Sequence, residues 1–210
     1  MAALDNLFDK KLEKTVLRSS ESLTSKQKIR TYVLQKRREL QSEEKERMDE
    51  ALLERLRPFF PPAGTAVYAY TSVRGEAGTE TLIDELLKRG CRVALPRVFG
   101  REMRFFYITD RTQLVAGAYG IPEPADGCPK ADAQEALVIT PGVGFSIDGS
   151  RVGYGAGYYD RFFAAEPDHT AVGICYDFQL FQAFETEKHD KKMAYIVTPT
   201  QVIEILPLDA

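Results

Sequence analysis

The amino-acid sequence predicts an α/β fold: an open, largely parallel sheet flanked by helices, with a helical segment at the N-terminus. Three observations predict it. From Thr65 onward, short apolar or β-branched runs alternate with amphipathic stretches of helical period. Gly and Pro interrupt the chain too often for a helical bundle. Before Pro58, in contrast, the periodic segments all read as helix.

Residues 1–24 read as an extension to a single α/β domain over 25–210. Leu4, Leu7, Phe8, Leu12 and Val16 recur at helical spacing within it, and Ser19 to Ser22 break it. Thr24 or Ser25 caps a second helix reaching about Gln41, with Ile29, Val33 and Leu40 on its apolar side. Ser42, Glu43 and Glu44 open a third, acidic at its positive end, and Pro58, Pro61 and Pro62 stop it. Strands are expected over 65–72, 92–98 and 103–108, with a helix capped by Thr79 and closed by Gly90 after the first. Residues 116–129 read as a loop and 136–140 as an apolar strand. A glycine-rich loop follows, then a helix over about 158–165 and strands near 169–176, 193–198 and 202–205.

Composition narrows the function classes. The chain has 210 residues, is 44% hydrophobic and carries a formal net charge of −3, which gives no global basic excess for a nucleic-acid duplex. Cys91, Cys128 and Cys175 lie far apart, so neither a zinc site nor a disulfide framework is expected. No apolar run is long enough to span a membrane, and Asp5, Asp9 and Glu13 replace the apolar stretch of a secretory signal. The expectation is a cytoplasmic monomer acting on small molecules.

The informative segment runs from Pro141 to Arg161. An apolar strand leads in, an amphipathic helix leads out, and Gly153, Gly155 and Gly157 alternate just before that helix. Glycine lets a ligand approach the backbone, whose N–H groups join the positive helix end to make an anion site. Arg151 offers a bidentate contact to phosphate, and Asp160, in the first helical turn, is a candidate Mg²⁺ ligand. The glycines fit neither the P-loop nor the Gly-x-Gly-x-x-Gly fingerprint. Taken alone, they read equally well as a tight strand-to-helix turn, and Asp160 as a helix-start carboxylate.

The wider string resembles the signature of the 5-formyltetrahydrofolate cyclo-ligase family, Pro-Gly-x-x-Phe-Asp-x-x-Gly-x-Arg-Leu-Gly-x-Gly-x-Gly-Tyr-Tyr-Asp. Pro141-Gly142, Phe145, Arg151, the three glycines and Tyr158-Tyr159-Asp160 match, whereas Ser146 stands where Asp is usual and Val152 where Leu is usual. The resemblance runs from about Ser25 to the last strand. Lys26 and Arg30 fit the family's Lys-x-x-x-Arg; by spacing alone they share a helix face that also reads as a solvated basic face. Glu76 matches a glutamate facing the folate, and Pro96-Arg97 a Pro-Arg pair at a strand end. Tyr119-Gly120-Ile121-Pro122-Glu123-Pro124 is similar to a loop beside the pterin, and His189-Asp190 to a pair whose aspartate joins Mg²⁺ coordination. Met193 and Ala194 depart from the Leu and Asp that usually follow.

The resemblance implies ATP-dependent ring closure of 5-formyltetrahydrofolate, with ATP as co-substrate and Mg²⁺ as cofactor. It implies ATP contacts from Lys26, Arg30, Arg151, Gly153, Gly155, Ala156, Gly157, Tyr158 and Asp160, with Arg151 and Lys26 acting in catalysis. Folate contacts fall to Glu76, Arg97, Tyr119, Tyr158 and Tyr159, and metal coordination to Asp160 and Asp190. Three rivals remain at this stage: a folate- or nucleotide-binding protein without catalysis, an RNA binder using the basic helix over 26–38, and another phosphate-handling α/β enzyme.

Overall fold

The computed structural model describes residues 24–186 and 191–205. The helix expected within 1–23 lies outside them, as do His189 and Asp190. Among the described residues no helix is long and apolar enough to cross a membrane.

Helix α1 spans Lys26–Glu39 and α2 spans Ser42–Leu56. Ser25 caps α1, its hydroxyl accepting from the Lys28 amide at 3.3 Å. A seven-stranded sheet follows, built from β1 (Ala66–Tyr68), β2 (Arg92–Phe99), β3 (Glu102–Tyr107), β6 (Leu137–Thr140), β9 (Thr170–Ile174), β11 (Tyr195–Val197) and β12 (Val202–Glu204). Its order is β12-β11-β9-β6-β1-β2-β3. The five central strands run parallel, while β3 and β12 pair antiparallel at the two edges.

The sequence alternation of the central strands sorts their side chains onto two faces. Val67, Val93, Leu95, Ile139, Val172, Ile174 and Val197 pack with Leu52 and Leu56 of α2 and with Leu82, Ile83 and Leu86 of α3 (Glu80–Lys88). Tyr68, Ala94, Val138, Ala171 and Ile196 face the other way, onto Phe162 and Phe163 of α4 (Tyr158–Ala165). Burial on both faces is what a parallel sheet requires.

Three expectations change. Thr79 does not cap α3 with its side chain; its hydroxyl instead donates to the Tyr70 carbonyl at 2.6 Å and accepts from the Ser72 amide at 3.0 Å. The expected loop over 116–129 contains half of a small hairpin, β4 (Leu114–Ala116) with β5 (Pro122–Pro124). The glycine-rich segment also contains β7 (Gly144–Ser146) and β8 (Arg151–Val152), which pair antiparallel. With β10 (Leu180–Phe181) they form a second sheet. Val143, Val152 and Phe181 of this region enclose Ile29 and Val33 of α1.

Phe145, the aromatic residue of the glycine-rich string, is the plug between the two sheets. It is fully buried, and a Cβ added at Gly173 of β9 would lie 2.4 Å from its ring. Gly173→Ala is therefore expected to destabilise the fold by about 1–3 kcal/mol through overpacking, read from the urea midpoint. Adding Phe145→Leu should recover part of that loss.

Candidate active site

The site is built at the carboxyl ends of the parallel strands, where α/β sheets gather their ligands. The loop after β1, the end of β2 and the segment after β6 together line a cleft of about 530 Å³. From the first come Tyr70, Arg74 and Glu76, from the second Pro96 and Val98, and from the third Pro141 and the stretch from Arg151 to Asp160. Lys26 and Arg30 of α1 close one side; Tyr119 and Glu123 close another.

Gly157 takes a left-handed conformation (φ 69°) immediately before α4, whose start has no side-chain cap. Arg161 steadies the loop from beyond, donating from Nη2 to the Ala156 carbonyl at 2.9 Å and from Nε to Arg101 at 3.0 Å. Arg30 Nε donates to the Gly153 carbonyl at 2.8 Å. The basic face of α1 is thus docked on the glycine loop and is not simply solvated.

Arg151 and Asp160 pair across the same loop, Nη2 to Oδ1 at 2.5 Å. The Arg151 side chain is 7% exposed and that of Asp160 35%. The guanidinium lies 5.5 Å from the centre of the Tyr159 ring. Two buried polar atoms here, Arg151 Nε and the Tyr159 hydroxyl, find no hydrogen-bond partner among the described residues. Burial pushes the Tyr159 phenol well above its usual range, so it stays a neutral donor.

Glu76 is 4% exposed at the cleft wall. Its Oε1 accepts from the Tyr154 hydroxyl at 2.7 Å and its Oε2 from the Val73 amide at 2.9 Å. Burial raises its pKa above the usual carboxylate value; these two donors, with Arg37 and Arg74, offset only part of the rise. Across the mouth, the Tyr119 and Tyr158 hydroxyls approach to 3.3 Å, and Tyr158 also donates to the Gly100 carbonyl at 3.0 Å.

One expected site residue is misplaced. Arg97 does not line the cleft. It falls between Pro96 and Val98, which do, so strand alternation turns it to the other face. There it pairs with Asp126 at 2.7 Å and lies against the Phe99 ring. Three site residues were missed. Glu123 is a buried carboxylate in the cleft, accepting from the Ala118 and Val98 amides at 3.3 and 3.4 Å. Tyr154, between two of the glycines, reaches Glu76. Arg37 lies behind it, buried on the stripe Ile29, Val33, Arg37. That i, i+4, i+8 spacing was the readable signal for Arg37.

The matches to known proteins fall on this same framework. The family model described as "5-formyltetrahydrofolate cyclo-ligase family" matches residues 22–199. The chain belongs to the 5-formyltetrahydrofolate cyclo-ligase family. It is 31% identical over 190 residues to the 5-formyltetrahydrofolate cyclo-ligase of Mycolicibacterium smegmatis, covering 87% of this chain and 97% of that one. To the enzyme of that name from Escherichia coli K12 it is 30% identical, covering 82% and 99%. In structure it is similar to the 5,10-methenyltetrahydrofolate synthetase of Aquifex aeolicus, with a TM-score of 0.76 and 30% identity over 88% of this chain and 95% of the other. Proteins of this family are ligases, and the mostly parallel sheet is the fold they share.

The Arg151–Asp160 pair yields a test that needs no ligand. Asp160→Asn would leave a nearly buried guanidinium uncompensated, and is expected to cost about 1–3 kcal/mol of stability in the ligand-free protein. The urea midpoint reads it. An unchanged midpoint would mean that Asp160 has no structural share in the site.

Proposed function

We propose that this chain catalyses the ATP-dependent ring closure of 5-formyltetrahydrofolate to 5,10-methenyltetrahydrofolate, releasing ADP and phosphate. The observation that carries the reading is convergence. Lys26, Arg30 and Arg151 line one cleft with Gly153, Gly155, Ala156 and Gly157, together with the carboxylates Glu76 and Glu123 and the aromatic rings of Tyr70, Tyr119, Tyr154, Tyr158 and Tyr159.

The formyl group on N5 is an amide, with a weakly electrophilic carbon and a poor leaving oxygen. In the proposed reaction the γ-phosphoryl group passes from ATP to that oxygen, leaving ADP. N10 attacks the activated carbon, the C–O bond breaks with phosphate leaving, and the N10 proton passes to solvent. No protein nucleophile is needed; the protein positions the groups and neutralises charge. Arg151, held flat by Tyr159 and aimed by Asp160, would meet the transferring phosphoryl group. Lys26 and Arg30 would hold the outer phosphates, with the amides at the uncapped start of α4.

Glu76, Tyr119, Tyr158 and Tyr159 would frame the folate. Glu76 presents a fixed carboxylate suited to the N–H donors of a pterin ring. The unpartnered Tyr159 hydroxyl points to a hydrogen bond completed by a ligand.

Mg²⁺ is commonly held by one or two carboxylates completed by phosphate oxygens and water. Among the described residues no group of three or more His, Cys, Asp or Glu is placed to hold a metal, and Asp160 supplies a carboxylate beside the loop. Asp160 fits an ion that would arrive with the nucleotide, and Asp190, outside the described residues, is the second carboxylate that the family resemblance implies. When bound, the ion would neutralise phosphate charge.

The test is to mix protein, 5-formyltetrahydrofolate, ATP and Mg²⁺ and follow the near-ultraviolet absorbance of the methenyl product. The signal should require both ATP and Mg²⁺. Arg151→Ala should reduce kcat by about 10²–10³-fold, the cost typical of losing a transition-state charge donor. Folded protein that binds both ligands and yields no product would reduce the reading to a binding protein.

A further inference from the structure

Among the described residues Arg37 is the most buried Lys or Arg, and the reaction outlined above does not use it. It is 6% exposed. Its Nη2 donates to the Gly142 carbonyl at 2.8 Å, at the start of the glycine-rich segment. Its Nη1 donates to the Tyr154 hydroxyl at 2.5 Å. That hydroxyl passes its own proton toward Glu76 Oε1 at 2.7 Å. A guanidinium on α1, a phenol on the glycine loop and a carboxylate on the loop after β1 therefore form one chain.

A second observation places the carboxylate against the same anchor. The turn before Glu76 uses two left-handed residues, Arg74 (φ 52°) and Gly75 (φ 72°). A Cβ on Gly75 would come within 3.1 Å of Arg37 Cβ and 3.3 Å of the Arg37 carbonyl. The loop bearing Glu76 is thus seated on the helix at the residue whose side chain reaches the carboxylate through Tyr154.

We propose that Tyr154, anchored by Arg37, is a positioning residue that fixes the Glu76 carboxylate and ties it to the phosphate-binding loop, an inference that rests on the cyclo-ligase reading for its link to folate. Tyr154 is the central residue of Gly153-Tyr154-Gly155, whose glycines line the cleft beside Arg30 and Arg151. Its hydroxyl meets the carboxylate expected to face the pterin. Occupancy of the loop and the orientation of Glu76 then share a single hydrogen bond.

Other groups act on Glu76 as well. Arg37 and Arg74 favour its charged form, whereas Tyr70, Tyr159 and Tyr176 lie near enough for their own ionisation to be opposed by it. Tyr154 is a side chain that donates to the carboxylate, beside the Val73 amide. Removing that hydroxyl withdraws a bond to the ionised form and leaves the burial cost in place, so the carboxyl must titrate at higher pH.

Tyr154→Phe tests this by two readouts. The first is a carbon NMR titration of glutamate carboxyls in the ligand-free protein, with Glu76→Gln identifying the Glu76 signal. The expected result is a rise of about one pH unit in the Glu76 midpoint in Tyr154→Phe, the size of one lost charge-assisted hydrogen bond. A midpoint that does not move overturns the inference. The second is steady-state kinetics. KM for the folate should rise about tenfold and KM for ATP by less than about twofold, with the acid limb of kcat/KM displaced upward. A uniform fall in kcat with both KM values unchanged would mean a merely structural tyrosine, and would overturn it too. Wild-type protein that makes no product would sink the cyclo-ligase reading; the NMR titration would still decide the pairing of Tyr154 with Glu76.

Discussion

The parallel pairing of β1 with both β2 and β6 is the constraint on which the site depends. Parallel neighbours end on the same side of the sheet, so three chain segments far apart in sequence emerge together. One carries Glu76, one Pro96, and one the run from Pro141 to Asp160. Nothing in these segments folds as a site alone. The two-faced core beneath them, Val67 and Val93 to one side and Tyr68 and Ala94 to the other, fixes the register of the strands and so the spacing of the loops.

On that platform, electrostatics is arranged by pairing. Arg151 is matched with Asp160, and Arg37 with Glu76 through Tyr154. Away from the cleft, Lys192 bonds to Asp148 and Ser150 in the turn just ahead of Arg151. Burial opposes ionisation of Asp148, yet Lys192, Ser146 and Ser150 outweigh it and hold the carboxyl well below its usual range. Ser146, standing where the family usually has aspartate, thus serves its neighbour Asp148 by a hydrogen bond. A group held this way supports the fold above the ordinary aspartate range and loses that support as pH falls from that range through its lowered folded-state value.

Much of this was readable in the residues. The α4 bounds, the alternation of strands and helices and the hairpin turn at Gly100 follow from period and turn chemistry. The residues that line the cleft were legible where the family resemblance is dense, from Arg151 to Asp160, and at Lys26 and Arg30, which spacing alone left as a solvated basic face. It was illegible where a residue's direction depends on pairing. Arg97 is one residue out of phase with the cleft, and no local property of Pro-Arg reveals the phase. The strands β7, β8 and β10 are two or three residues long, too short to show a period of two. Tyr154 sits between glycines, where periodicity has no meaning. Arg37 was hidden by its neighbours Lys36 and Arg38, which made a buried cation look like part of a solvated run.

The start of α4 has further meaning for handling the molecule. A helix that begins at a left-handed glycine with no side-chain cap leaves its first amides to be satisfied from outside the chain. Arg151 Nε and the Tyr159 hydroxyl beside it are in the same position. These groups hold back some of the free energy that a fully capped, fully bonded corner would add to the fold. Whatever anion binds there recovers it, and by mass action raises the melting temperature as its concentration climbs above its dissociation constant. On the proposed reading, the thermal transition of the protein would itself gauge site occupancy, with phosphate, ADP or ATP in turn and without any catalytic step.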